Sequence, residues 1–210
     1  METFAEYILS EKNHIRKMEI VYYLQMKTGI FYDKSVVFKT ELAKLFLDHM
    51  NLDVDENTVI TACLLYACKK SDDPTDLEKV KSYAKDGSKY LASLGFSKRF
   101  CKICEEANRY SGSINREKES DILELVDQFG GMLLHRPERI AFKIDEAMVL
   151  LEHRNLKGKN NRYLEKFKQF IEMMENIKVN GLGNGIITDL QERMNVAWYQ
   201  KKYKKAQYKL

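Results

Sequence analysis

The sequence has few residues that interrupt helices. Only two of its 210 residues are proline, Pro74 and Pro137, and ten are glycine. A fold of many short strands would need more of both, because proline and glycine supply the backbone angles that tight turns require. This scarcity argues against an all-β fold and favours long helices.

Long apolar runs and a large charge excess are also missing. The sequence has no run of about 18 apolar residues, the length that spans a bilayer as a helix. Its start, METFAEYILSEKN, has acidic residues where a signal peptide would be basic. We therefore expect a cytoplasmic chain with no transmembrane segment. The formal charge of +4 is too small to indicate a general polyanion partner.

Cysteine is infrequent as well, with Cys63, Cys68, Cys101 and Cys104 as the four examples. In a chain without an export signal, reduced thiols are favoured over disulfides. Cys101 and Cys104 form a CxxC motif, which is found in zinc and redox sites. Because Cys104 also lies on an apolar helical stripe, we predict that these residues are core thiols.

Apolar residues recur at spacings of three and four, which is the pattern of amphipathic helices. Such stripes occupy residues 42–50, 100–107, 122–133, 164–174 and 187–198. Each stripe needs a partner surface to cover it. The pattern therefore predicts an all-α fold, a compact multi-helix bundle.

The segment VITACLLYACKK is apolar almost continuously from Val59 to Cys68, which predicts a central helix buried on most sides. Asp55 is suited to cap its N-terminus, and Lys69 and Lys70 suit the negative end of its dipole. A buried β-strand is the alternative interpretation.

The glycine-rich segment VNGLGNG, residues 179–185, is typical of a linker. It divides the chain into a helical domain over residues 1–178 and a linker with a basic C-terminal helix over residues 179–210. Within the first part, the helices of residues 1–34 are appended to the rest.

Two local motifs have the pattern of a known superfamily. LLYACKK, residues 64–70, resembles the helix end where HD-superfamily phosphohydrolases have two leucines, a His-Asp pair, a small residue, Gly and Lys. Tyr66 and Ala67 occupy the His-Asp positions. Residues 122–151 resemble the family's aspartate-bearing helix, its Arg-Pro-x-Arg turn and the following helix. Asp127 matches the last metal-binding aspartate, and Arg136, Pro137 and Arg139 match the turn.

A third, weaker motif lies in residues 85–113, which resemble the corresponding stretch of the HD-GYP branch of bacterial signalling phosphodiesterases. Glu106 and Ala107 lie near that branch's histidine positions, and residues 111–113, Ser-Gly-Ser, near its Gly-Ser-Gly loop. The first histidine of the family would align near Ser35. The resemblance covers residues 35–175, and the second motif carries most of its specificity.

The resemblance implies an HD-type helical bundle that has lost the family's catalysis. HD phosphohydrolases use divalent metals to generate hydroxide, and neither a phenol nor a methyl group replaces a His-Asp pair as a metal ligand. We therefore expect no metal and no other cofactor. We expect a regulatory module in bacterial signalling that binds a partner protein or a nucleotide-like ligand. The remnant cleft comprises Tyr66, Asp127, His135, Arg136 and Arg139. Tyr66 and Asp127 should lie within about 15 Å of each other, the span of two packed helices and their side chains.

Two other functions stay open. A phosphohydrolase with a rearranged metal site would use Asp127 together with Glu105, Glu106 or Glu124, and it requires these carboxylates to cluster. The four histidines, His14, His49, His135 and His153, have no metal-ligand spacing and are interpreted as surface or partly buried polar residues.

The second alternative is nucleic-acid binding through the C-terminal tail. The last ten residues, KKYKKAQYKL, carry five lysines and no acid, interleaved with tyrosines. Lys201, Lys202, Lys204 and Lys205 are candidate anion-binding residues for RNA or for an anionic membrane surface. Nucleic-acid binding would need them to join a wider basic face, such as that of Lys98, Arg99 and Lys102. A solvated helix end is the simpler interpretation.

Overall fold

The computed structural model describes residues 2–71, 76–113, 115–136, 139–154, 160–179 and 183–207, with only the backbone for residues 154 and 197–207. Throughout this part of the chain the regular structure is helical, and two isolated bridges are its only β pairing. The helices are α1 Phe4–Ser10, α2 His14–Thr28, α3 Lys34–His49, α4 Glu56–Leu65, α5 Leu77–Ser93, α6 Lys98–Glu106, α7 Lys118–Met132, α8 Ile144–Arg154, α9 Leu164–Asn176 and α10 Ile186–Gln207. The predicted all-α multi-helix bundle is confirmed.

Capping side chains define where several helices begin. The Asp55 carboxylate accepts a hydrogen bond from the backbone N–H of Thr58 at 2.8 Å, as predicted for the start of α4. The Ser97 hydroxyl accepts one from the N–H of Phe100 at 3.2 Å. Each such cap stabilises the helix by about 1 kcal/mol. Asp76 caps α5 in the same way, directly after residues 72–75, which lie outside the described residues.

Helix α4 is the buried centre of the bundle, and the alternative interpretation of this segment as a strand is wrong. Residues 59–65 are all buried, and α4 contacts α1, α2, α3, α6 and α7. The helix ends before the apolar run does. Cys68 N–H donates to the Leu65 carbonyl, and Lys70 N–H donates to the Ala67 carbonyl. These bonds span three residues instead of four, which tightens the chain into a turn.

A cluster of phenylalanines joins α3, α7 and α9. The ring of Phe167 lies 5.1 Å from that of Phe46 and 5.3 Å from that of Phe129, both in edge-to-face geometry. Phe170 lies 5.2 Å from Phe46. Edge-to-face pairs place the positive ring edge against the negative face, which adds to the free energy of burial. The cluster fixes α3 against α7, and these two helices carry the cleft described below.

The four cysteines all lie within the described residues, where they are buried and form no disulfide. Cys63 and Cys68 belong to α4 and the turn after it, and Cys101 and Cys104 to α6. The prediction of core thiols is confirmed. Burial raises the pKa of Cys104 well above its usual value, since the interior disfavours the thiolate.

A buried lysine holds the first two helices against α4. Lys17 is 1% exposed, and its ammonium donates to the Ile8 carbonyl and to the Thr61 hydroxyl, each at 2.6 Å. Burial lowers the pKa of Lys17 to about 8. The two acceptors offset part of the desolvation cost of a cation in the core.

The first turns of α10 pack onto α3 and α9. Ile187 is buried, and the buried Asn195 amide accepts from the N–H of His135 at 2.9 Å and donates to the Leu133 carbonyl at 3.1 Å. In the linker, Val179 N–H donates to Asn184 O, while residues 180–182 lie outside the described residues. The division of the chain at residue 178 stays a prediction.

The substitution Phe167→Ala is expected to lower the free energy of unfolding by about 3–5 kcal/mol, because it leaves a cavity among the packed rings. Urea denaturation monitored by circular dichroism measures the change. Tyr23→Ala is the control, since Tyr23 is 62% exposed and should change stability by less than about 0.5 kcal/mol. Equal effects of the two substitutions would contradict the assignment of Phe167 to the core.

Candidate ligand-binding cleft

Three polar side chains from three helices meet where the sequence predicts the cleft. The Lys39 ammonium on α3 lies 2.5 Å from Asp127 Oδ1 on α7. The Tyr66 hydroxyl, at the end of α4, donates to the same Oδ1 and accepts from Lys39 Nζ at 3.2 Å. The prediction that Tyr66 and Asp127 lie close together is confirmed, and Lys39 completes a hydrogen-bonded triad.

The triad is buried, so its charges interact strongly. The Lys39 side chain is 3% exposed and that of Asp127 is 18% exposed. Burial disfavours the Asp127 carboxylate, but the ammonium groups of Lys39 and Lys70 outweigh this effect and lower its pKa to about 2. Burial and the neighbouring Asp127 charge raise the pKa of Tyr66 well above its usual value. Lys39 and Asp127 therefore form an ion pair to which Tyr66 stays bound as a neutral phenol.

Two further cations, Lys70 and Arg136, border this triad, and both are half-buried. Burial, followed by the positive charge of Lys39, lowers the pKa of Lys70 to about 8, and Arg136 adds to the shift. A Cβ atom on Gly131 would lie 3.0 Å from Arg136 Nη2 and 4.0 Å from Lys39 Nζ. Arg136 and Lys39 thus approach the same point of α7, where a glycine leaves room for them.

The other two predicted cleft residues, His135 and Arg139, serve the turn between α7 and α8. The His135 ring accepts from the N–H of Ala141 at 3.0 Å, and burial lowers its pKa. The Arg139 guanidinium donates to the carbonyls of Met132 at 2.9 Å and Gly131 at 2.6 Å. These are carbonyls of the last turn of α7, which a cation at a helix C-terminus satisfies. Pro137, between the two arginines, lies outside the described residues.

The donor set around Asp127 does not fit the metal centre that the HD resemblance would bring. A lysine ammonium and a phenol already hold Oδ1 of Asp127, and Ala67 has no donor atom. A bound dication would have to displace the positive charge of Lys39 from this oxygen. Elsewhere in the described residues there is likewise no group of three His, Cys, Asp or Glu side chains arranged to hold a metal.

Two of the carboxylates named for the rearranged-site alternative, Glu106 and Glu124, are engaged elsewhere. Glu124 is fully buried and forms an ion pair with the equally buried Arg116, which also bonds Asp121 at 2.7 Å. Glu106 accepts from the N–H of Glu117 at 2.9 Å. This network joins α7 to the end of α6, and Arg116 is the cation that neutralises its carboxylates.

The predicted anion-binding tail is only partly described. The backbone of Lys201, Lys202, Lys204 and Lys205 continues α10, but their side chains and residues 208–210 lie outside the described part of the chain. Lys98, Arg99 and Lys102 lie on α6, where Arg99 and Lys102 pair with Glu117. In the described residues, no helix is both long and apolar enough to cross a membrane.

Sequence reasoning missed Lys39, although the sequence carries a signal for it. Lys39 lies three residues after Val36 and four before Ala43, which are both buried, so it occupies the inward face of α3. A lysine at such a position needs an internal acceptor. Tyr83 was also missed. It is buried, and burial together with the charge of Asp127 raises its pKa.

Comparisons of the chain with protein-family models, with curated proteins and with solved structures find no match. The function therefore has to be argued from the cleft.

Replacing Asp127 by Asn should lower the free energy of unfolding by about 3–5 kcal/mol, because Lys39 would stay buried without its counter-charge. The double substitution Lys39→Met with Asp127→Asn should recover a large part of this loss. Chemical denaturation of the wild type, both single variants and the double variant measures the coupling. Simple additivity of the two single effects would show that the pair is not coupled.

The stabilisation from Asp127 should also depend on pH. Its pKa in the folded chain, about 2, lies below the usual value of 3.8 for an aspartate. The ionised form therefore stabilises the fold above about pH 4, and this contribution is lost as the pH falls towards 2. The free energy of unfolding of the wild type, measured against Asp127→Asn between these limits, should show that loss. A constant difference across this range would contradict the low pKa.

Proposed function

We propose that this chain is a catalytically inactive, HD-like regulatory module that binds an anionic, nucleotide-like ligand in the remnant cleft. A role in bacterial signalling, which the resemblance implies, belongs to the same proposal. The main support is the Lys39–Asp127 ion pair, which occupies the carboxylate with an internal cation. Loss of the His-Asp pair at Tyr66 and Ala67 and neutralisation of the remaining aspartate point in the same direction.

The charge balance of the cleft supports an anion as the ligand. Asp127 is paired with Lys39. The charges of Asp127 and Asp33 also reach Lys70, but among the described residues neither Lys70 nor Arg136 forms an ion pair. Burial is the largest cause of the lowered pKa of Lys70, and the positive charges of Lys39 and Arg136 lower it further. A bound phosphate would neutralise this excess, and arginine and lysine are the residues that bind phosphate oxygens.

The proposal that the chain is catalytically inactive predicts the metal content of the purified protein. We expect elemental analysis to find no stoichiometric iron, manganese or zinc, because Lys39 and Tyr66 occupy the Asp127 oxygen. Added manganese should also fail to produce hydrolysis of a generic phosphodiester. Near-stoichiometric metal that disappears in Asp127→Asn would support the phosphohydrolase alternative instead.

The proposal that the cleft binds an anion predicts that sulfate, used as a phosphate mimic, binds there. The substitutions Lys70→Met and Arg136→Met should each weaken binding by about tenfold or more, since a hydrogen bond to a charged group is lost. Titration calorimetry measures the affinity. Lys85→Met is the matched control, because Lys85 is exposed on α5 and lines neither the cleft nor the groove beside it.

Sulfate binding should also weaken as the pH rises through about 8, where Lys70 loses its proton. Sulfate keeps its charge over this range, so any pH dependence of binding arises from a titrating group of the protein. In Lys70→Met this dependence should be absent. Sulfate affinity that is the same in the wild type and in both cleft variants would overturn the proposed site.

A further inference from the structure

A groove of about 600 Å³ opens next to Lys70, outside the triad. The C-terminal half of α2 forms one wall, the loop from α2 to α3 forms a second, and the turn after α4 closes it. Its volume is within the range of sites for small organic ligands. The groove lies beside the cleft because Lys70 contributes to both.

Aromatic and flexible apolar side chains line the groove. Tyr22 and Met26 of α2 are 55% and 67% exposed, and they border the groove together with Phe31 and Tyr32 of the loop. The rings of Tyr22 and Tyr32 lie 6.4 Å apart. Exposed apolar side chains that converge on one concavity are a feature of ligand sites, because a ligand that covers them removes apolar surface from water.

The loop that forms the floor of the groove is held in place by the backbone. Gly29 ends α2 with a φ of 65°, a left-handed conformation that favours glycine. Two residues later, Phe31 N–H donates to the Cys68 carbonyl at 2.9 Å. The amide of Gln25 donates to the Tyr32 carbonyl at 2.9 Å. These bonds fix Phe31 against the turn that carries Lys70.

Phe31 and Lys70 connect the groove to the cations of the cleft. The Lys70 ammonium lies 5.3 Å from the centroid of the Phe31 ring. A ligand in contact with Phe31 therefore meets a positive charge at one end of the groove. In the described residues, the acid that lines the groove is Asp33, whose carboxylate is engaged by the N–H groups that start α3.

We propose that this groove binds the planar aromatic ring of a nucleotide whose phosphate is held by Lys70 and Arg136. The proposal rests on the anion site proposed above and extends it by a subsite for the ring. Tyr22, Met26 and Phe31 contact the ring, and Lys70 marks the boundary between ring and phosphate. All the aromatic walls come from residues before Ser35, which lie outside the HD-like region, so the appended helices select the ligand.

The test compares adenosine and guanosine monophosphates with inorganic phosphate by titration calorimetry on the full chain. At least one nucleotide should bind about tenfold more tightly than phosphate, which corresponds to one stacked ring. Tyr22→Ala should remove this advantage and leave phosphate binding unchanged. Lys70→Met should weaken both. Tyr23→Ala is the matched control, because Tyr23 is similarly exposed on α2, at 62% against 55% for Tyr22, but does not line the groove.

Phe31→Leu provides a second variant that keeps the apolar volume and removes the ring, with the fold checked by circular dichroism. It should also reduce the nucleotide affinity towards that of phosphate. Equal affinities for nucleotide and phosphate in the wild type would overturn the groove proposal while leaving the anion site in place. Absence of binding to either probe at millimolar concentrations would overturn both, and nucleotide binding that Tyr22→Ala leaves unchanged would place the ring elsewhere.

Discussion

The buried ion pair of Lys39 and Asp127 is the constraint on which the cleft depends. An unpaired ammonium or carboxylate in the interior costs several kcal/mol, so each of these side chains requires the other. Their helices, α3 and α7, are held in contact by the phenylalanine cluster beneath them. The ion pair thus requires a particular register of the two helices, and packing of the core provides it.

Tyr66 extends this constraint to α4 and to the turn that follows. Its hydroxyl is bound to both partners of the ion pair, which fixes the end of α4 relative to α3 and α7. The tight turn after Leu65 then carries Lys70 back towards the pair. The position of Lys70 therefore depends on the triad of Lys39, Asp127 and Tyr66. Phe31, in the loop before α3, is hydrogen-bonded to the same turn.

Much of the helical architecture could be predicted from the sequence, since apolar spacing and capping residues such as Asp55 and Ser97 act locally. The proximity of Tyr66 and Asp127 was predictable only through a family pattern, because no local rule relates residues 61 positions apart. Lys39 and Arg116 were missed for a related reason. The partner of Lys39 is 88 positions away along the chain, and Arg116 precedes the helix that carries its partners. Lysine and arginine are also assigned to the surface by default.

The other buried cations show that the charge excess at the cleft is not a general property of this chain. Arg116 bonds two carboxylates, those of Asp121 and Glu124, and Lys17 donates to a carbonyl and a hydroxyl. In both places the core supplies acceptors for the charge it encloses. At the cleft, the charges of Lys39 and Lys70 act on Asp127, that of Arg136 acts on Lys70, and Asp33 is a second carboxylate whose charge reaches Lys70. Among the described residues, Lys39, Lys70 and Arg136 therefore outnumber the nearby carboxylates of Asp127 and Asp33, and such an excess of positive charge favours the binding of an anion.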